Sequence, residues 1–458
     1  MKKTVNHILA AGLLALLSLA SCTDEFIEGN DLQGVDRDKR VEVRLPFGVG
    51  RGITTTITTR AAGGEIDYDS QLSGVMAFVY EAKSDNPEEN ELLAYHLFSN
   101  PSNKPLEGAT GGWIADNDDP TCGEIKFYVP VGDVYIYLLG NAQSSFLNFF
   151  PGVSGGDALG TQAEFFEKAT PKWNGNIHSV DGYLPLTGMV NNNTGLCHVN
   201  EQGQISYTDE EGKTHILLPD GKHDEDNSFV LKRLMSKITM NIREGKGVKF
   251  TARDYTVRHI PHYVSPTAQA WTEEERDRIL VEDAKPVNFG LLDSLTFTIY
   301  LPENIRKVRS GVEITEYRQR DKVVKTADNK NTEETAPDDF HADNADNHKG
   351  HYKFEFAPKA STYIELTGWF ENADKTVAAD VRYYIHLGNF GKDLNHFSVE
   401  RDHHYTYNVT INGVDDIVVE VEDENEKTPG AEGVVFKHEA FAHIDAHFDQ
   451  VEMKFMRK

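Results

Sequence analysis

The chain is poor in cysteine and in cations, and it shows no repeat at a fixed period of the solenoid or propeller kind. Three cysteines in 458 residues cannot build a disulfide-dense scaffold. No C-x-x-C or H-E-x-x-H spacing occurs, so the usual zinc signatures are excluded. Neither a metal nor a cofactor is expected. Lys and Arg number 46 against 73 Asp and Glu, for a net charge of -27. Phosphate backbones repel such a surface, which argues against nucleic acid as a partner. The same charge suits solubility at a cell surface. Without a period of ~20–50 residues, propellers and solenoids are set aside.

What is there begins with the first sixty residues. Lys2 and Lys3 precede an apolar run, Ile8 to Ala20. It is too short for a permanent span, which needs ~20 apolar residues, and has the flanks of a signal-peptide core. Leu19-Ala20-Ser21-Cys22 resembles the bacterial lipobox. Residues 1–21 would then be the signal and Cys22 the acylated N-terminus. Acyl chains hold to a bilayer at ~0.8 kcal/mol per buried CH₂, so outer-membrane lipid is an expected partner. Thr23-Asp24-Glu25 is similar to surface-export signals of some Gram-negative lipoproteins. A polar tether follows, then Val41-Glu-Val-Arg-Leu-Pro-Phe47. Alternation puts Val41, Val43, Leu45 and Phe47 on one face of a strand. Arg60-Ala61-Ala62-Gly63-Gly64 is small and open, the kind of segment that proteases prefer.

Beyond it the pattern is β. Gly74–Tyr80 is a continuous apolar run, consistent with a buried strand. Leu92–Phe98, Glu124–Val129, Val134–Leu139, Leu295–Leu301, Thr362–Leu366, Val377–Leu387 and His404–Ile411 read as further strands. Val230–Ile242 reads as one strand with a buried face. Thr161-Gln-Ala-Glu164 and Thr272-Glu-Glu-Glu275 are capping boxes that open short helices. Arg318–Lys349 reads as a long exposed loop. Ile417, Val418, Val419 and Val421 precede a run of acids, and Val434–Phe448 and Val451–Phe455 are two strand-like pieces after the second domain. The expected division is 22–60 tether and first strand, 61–227 and 228–426 β-sandwiches, and 427–458 a C-terminal strand appendage. Many short strands with a few short helices indicate antiparallel sandwiches.

The chemical motifs weigh less. Gly152-Val-Ser154-Gly-Gly156 fits G-x-S-x-G, but Pro151 precedes it and no helix follows directly, as a nucleophile elbow requires. His403 and His404 point to opposite faces of a strand. His443 and His447 share a face and read as packing or surface. Asp116, Asp118 and Asp119, and Asp338 to Asp346, lack the spacing of an EF-hand loop. The aromatic residues read as core by default, with a sugar-binding platform as the alternative. Cys122 and Cys197 are either paired or two separate buried thiols. No catalytic residue is assigned, and the chain is not expected to be an enzyme.

Several segments in order resemble type V pilus fimbrillins, in their Mfa-like branch. These are Thr58-Thr-Arg-Ala61, the Gly74–Tyr80 strand, Leu231–Ile238, Tyr300-Leu-Pro-Glu-Asn304, Phe397–Ile411, Pro429–Gly433 and Asp445-Ala-His447. The resemblance implies two tandem transthyretin-like antiparallel β-sandwich domains. It implies a structural or adhesive pilus subunit assembled by donor-strand exchange. An arginine-specific protease would cut between Arg60 and Ala61. The strand carrying Val41, Val43, Leu45 and Phe47 would leave, and a neighbour's tail would refill its place, with Val451, Met453 and Phe455 as the candidate donor strand. Partners would be other pilus subunits, with host proteins or glycans as receptors. The location would be the outer membrane through Cys22, then the fimbrium. Two alternatives stay open: a lipid-anchored base subunit of the pilus, and a surface glycan-binding lipoprotein.

Overall fold

A computed structural model describes residues 39–49, 72–101, 109, 111–115, 122–142, 147–148, 159–168, 172–178, 183–190, 194–218, 228–266, 281–291, 295–306, 308, 311–326, 351–391, 393–423 and 436–440. Among these the chain is mainly β, with a few short helical segments. It divides into two compact units that change over between Leu234 and Met235, and Gly175–His178 belongs to the second. No helix among the described residues is long and apolar enough to cross a membrane.

The first unit holds β1 (Arg40–Val49), β2 (Gly74–Glu81), β3 (Leu92–Ser99), β4 (Gly111–Gly112), β5 (Ile114–Ala115), β6 (Cys122–Pro130) and β7 (Gly132–Gly140). It continues with β8 (Leu147–Asn148), β9 (Lys172–Trp173), β10 (Leu186–Gly188), β11 (Leu196–Val199), β12 (Ile205–Thr208), β13 (Thr214–Ile216) and β14 (Phe229–Arg233). Twelve of these form one sheet along β13-β12-β11-β7-β10-β14-β1-β6-β5, with β2, β3 and β4 branching from β7. On one edge of β7, Val134–Gly140 pairs with β2. Its other edge is shared by β11 and β10. Alternate residues of β1, β2, β6, β7, β11, β12 and β14, with Leu93 and Phe98 of β3, fill one buried cluster. Phe98 of β3 and Phe127 of β6 lie 6.0 Å apart across it. One long sheet thus closes on its own apolar face.

The β2 run is apolar throughout because both faces are covered. Val75, Ala77 and Val79 enter the core. Phe78 and Tyr80 face the helix Gln162–Lys168, where Phe165 lies 5.1 and 5.9 Å from their rings. That helix opens as its sequence predicts: the Glu164 amide donates to Thr161 Oγ1 at 3.2 Å, and the Thr161 amide donates to Glu164 Oε2 at 3.1 Å.

The second unit holds β15 (Met235–Glu244), β16 (Val248–Arg258), β17 (Ile260–Pro261), β18 (Val281–Glu282), β19 (Val287–Asn288), β20 (Thr296–Pro302) and β21 (Val323–Thr326). Then come β22 (His351–Phe354), β23 (Tyr363–Asn372), β24 (Ala378–His386), β25 (His404–Ile411), β26 (Ile417–Asp423) and β27 (Phe436–Ala440). Its two main sheets are β20-β15-β25-β26-β27 and β19-β16-β23-β24. Tyr255 of β16 stacks on Phe297 of β20 with ring centroids 3.8 Å apart, so the sheets meet face to face.

Three sequence expectations change. The sheets are not wholly antiparallel: β1 runs parallel to β14, and β15 to β25. Val230–Ile242 is not one strand but breaks at Leu234, and its halves serve different units. The charged stretch from Arg318 does not start as an exposed loop. Tyr317–Arg320 is a helical turn with Arg320 fully buried. Its guanidinium donates to the carbonyls of Leu387, at 3.0 Å, and Leu394, and stands 3.8 Å over the Phe397 ring. Charge density misleads there because backbone oxygens and an aromatic face replace water.

Candidate functional site

The first strand is an inserted element, with β6 along one side and β14 along part of the other. Arg40–Gly48 runs antiparallel to Pro130–Cys122 over nine residue pairs. Phe47–Val49 runs parallel to Phe229–Leu231. Pairing with β14 begins one residue after Pro46, so the missing proline N–H costs no bond on that side.

Val43, Leu45 and Phe47 are fully buried, and Val41 is half-buried against the same core. The expected shared face is therefore real. Burial at ~1.5–3 kcal/mol per large side chain gives a gross term of about 5–9 kcal/mol for the three buried residues. That equals the whole stability of many domains, ~5–15 kcal/mol.

Two glycines shape the seat. Gly123 lies opposite Phe47. A Cβ there would stand 2.9 Å from Trp113 Cδ1 and 3.2 Å from Phe47 Cζ. Its absence lets the Phe47 and Trp113 rings meet edge to face at 5.5 Å. Gly203, with φ +76°, closes a turn over β1, and a Cβ there would lie 2.2 Å from the Glu42 carbonyl oxygen.

On the outer face, Glu42 and Arg44 are exposed. Arg44 Nε lies 3.7 Å from Glu124 Oε1, and Lys126 Nζ lies 3.9 Å from the same oxygen. Glu124 is itself buried, and Oε1 accepts no hydrogen bond among the described residues. Two nearby cations are what compensate it.

The other end of the chain also supplies a strand. β27 pairs antiparallel with β26, from Ile417↔Ala440 to Val421↔Phe436. It covers one edge of the five-stranded sheet. Part of the tail therefore folds back on its own chain. Cys22, Arg60, Ala61, Val451, Met453 and Phe455 lie outside the described residues, as do Ser154, His443, His447 and the two Asp groups.

The remaining candidates have structural partners. His403 Nδ1 lies 3.0 Å from Asp423 Oδ2, whereas His404 Nε2 lies 3.0 Å from Thr239 Oγ1. Burial disfavours charge on His403, but Asp423 and Glu400 outweigh it and raise its pKa. Cys122 and Cys197 are separate buried thiols, and burial pushes Cys197 up. Asn304, from the Tyr300–Asn304 turn, donates to the Ala360 carbonyl at 3.0 Å and to Thr362 Oγ1 at 2.8 Å. Its backbone exchanges two hydrogen bonds with Val399. Arg401 pairs with Glu303. Sequence reading missed His386, whose Nδ1 lies 2.7 Å from Asp321 Oδ1 with both side chains buried. Its only sequence signal was a polar residue ending an apolar strand.

A family model described as a domain of unknown function (DUF4906) matches residues 299–409. No curated protein matches the chain. Among solved structures, the tip fimbrial protein Mfa3 from Porphyromonas gingivalis, C-terminally truncated, is 14% identical with a TM-score of 0.42. The match covers 84% of this chain and 99% of that one. A candidate cell adhesion protein from Parabacteroides distasonis is 9% identical with a TM-score of 0.41, covering 88% and 98%. A candidate polysaccharide-binding protein from Bacteroides thetaiotaomicron is 10% identical with a TM-score of 0.33, covering 84% and 99%.

Proposed function

We propose that this chain is a surface pilus or adhesin subunit of the fimbrillin kind, structural rather than catalytic. In this reading the first unit is completed by a replaceable strand. The observation that carries it is the position of β1: an N-terminal strand lies between β6 and β14 with three fully buried side chains. Arg60 falls in the connection between β1 and β2. A cut there separates β1 from the rest of its unit without breaking any strand among the described residues.

Loss of β1 would bare the long edge of β6 and the apolar seat beneath it. Bare strand edges are templates for another chain. Main-chain bonds then give affinity, and alternate side chains give register. Each subunit would offer one slot and one donor, a head-to-tail contact that does not close and so grows filaments. The lipid on Cys22 would hold the uncut protein to the outer membrane and be lost with the cut.

N-terminal sequencing of surface-extracted protein tests this. Ala61 as the first residue of the assembled material is the expected result. An acylated Cys22 on all of it would make the chain a membrane-held base instead. Monomers after complete cutting at Arg60 would overturn strand replacement.

A further inference from the structure

The chain itself contains a second copy of the β1 pattern. Val41-Glu42-Val43-Arg44-Leu45 reads apolar, Glu, apolar, base, apolar. That order recurs at one other place, Val451-Glu452-Met453-Lys454-Phe455. Every position keeps its chemical class. On a strand, the first, third and fifth residues of such a segment share one face, and the Glu and the base share the other.

We propose that Val451–Phe455 of a second copy of this chain enters the slot in the direction and register of β1. Lys454 then takes the place of Arg44 beside Glu124, so that Glu124 selects the register. The inference rests on the strand replacement proposed above and names its donor and its reading residue.

The geometry explains why Glu124 can choose. When β1 leaves, Arg44 goes with it and the β1 flank of Glu124 opens. When a new strand covers that flank again, Lys126 alone faces the carboxylate unless the strand brings a second cation. An uncompensated buried charge is costly, so a strand that restores the second cation is favoured. A slip by one residue would turn Glu452 and Lys454 into the core. A slip by two in one direction would set Glu452 beside Glu124, like charge against like. A slip by two in the other would bring Met456, with no charge. Reversing the strand about Met453 also places Glu452 at the position of Arg44. In the native direction only the native register puts Lys454 there. A strand reversed about Lys454 would do so as well, but it would run parallel to β6 and lose the antiparallel ladder that β6 makes with β1. The correspondence ends after five residues: Arg457 falls where Phe47 sits, so the seat against Trp113 is not refilled in kind.

The test uses the full-length chain, cut after Arg60 by an arginine-specific protease, with assembly followed by light scattering. Glu124→Lys is expected to slow assembly at least about tenfold, and Lys454→Glu likewise. The double variant restores the rate to within about threefold of the native chain. Glu124→Gln serves as a milder variant, and melting of each uncut protein shows that it folds. The register is read separately from Tyr128→Cys with Glu452→Cys, which leave Glu124, Lys126 and Lys454 in place, since Glu42 stands directly opposite Tyr128. Oxidation should link these two positions between copies. Native-like assembly of both single variants, no rescue in the double, or linkage within one copy overturns the inference while strand replacement stands. Failure of the cut native chain to assemble overturns strand replacement itself.

Discussion

Two strands near the two ends of the chain are held in different ways. β1 is inserted between β6 and β14 and brings three fully buried side chains. β27 lies at the rim of its sheet and pairs on one side with β26 over five residues. Pairing alone contributes little, because ~0.5–1.5 kcal/mol per hydrogen bond is opposed by ~1–2 kcal/mol of backbone entropy per ordered residue. Side-chain burial is what makes β1 expensive to remove. The inserted strand belongs to the stability of its unit, whereas the rim strand has a single ladder partner.

Core truncations should break that contrast most strongly. Phe47→Ala is expected to destabilise the first unit by about 3–5 kcal/mol, and Leu45→Ala by about 2–5 kcal/mol. Denaturant unfolding read by amide exchange in β6 and β14 measures both, and β15 and β25 should be unaffected. The seat is sharpened next. Gly123→Ala and Gly203→Ala are each expected to cost about 1–3 kcal/mol, the first by overpacking Phe47 against Trp113, the second by pressing on the Glu42 carbonyl. Faster exchange along β1 would report both.

Acid distinguishes the units by a smaller margin. In the second unit, burial lowers the pKa of His178, His259 and His386, and for His386 it outweighs the attraction of Asp321. Their folded forms stay neutral while the unfolded chain takes protons near pH 6.5. Stability is therefore lost as pH falls below ~6.5 toward the folded values. His403 is raised, so its contribution has the opposite sign: it is present below ~6.5 and lost as pH rises through the folded value. Three against one, the second unit should melt roughly 5 °C lower at pH 5 than at pH 7. His386→Asn should flatten that dependence. Smallest of all, a chain ending at Asp423 should lose no more than ~1 kcal/mol from the second unit.

Much of the slot was legible in the residues. The alternation of Val43, Leu45 and Phe47 gave the buried face, since period two fixes faces from local sequence. It could not give partners. That β1 lies against β6, some eighty residues on, and β14, farther still, depends on contacts with no local signature. Leu234 shows the same limit: the run around it alternates as one strand, but the chain changes units there. Arg320 and His386 were hidden for another reason. Their burial is compensated by the Leu387 and Leu394 carbonyls and by Asp321, and such satisfaction is visible only in three dimensions.

The parallel pairing of β1 with β14 also sets a timetable. β1 is made long before β14, and it meets this second neighbour only when Phe229–Leu231 arrives. Until then one flank stays open, and long-range pairing of this kind is slow to form. The newborn chain therefore passes through a period in which its own opening strand is least firmly gripped, and an escort or a tether would be of most use then.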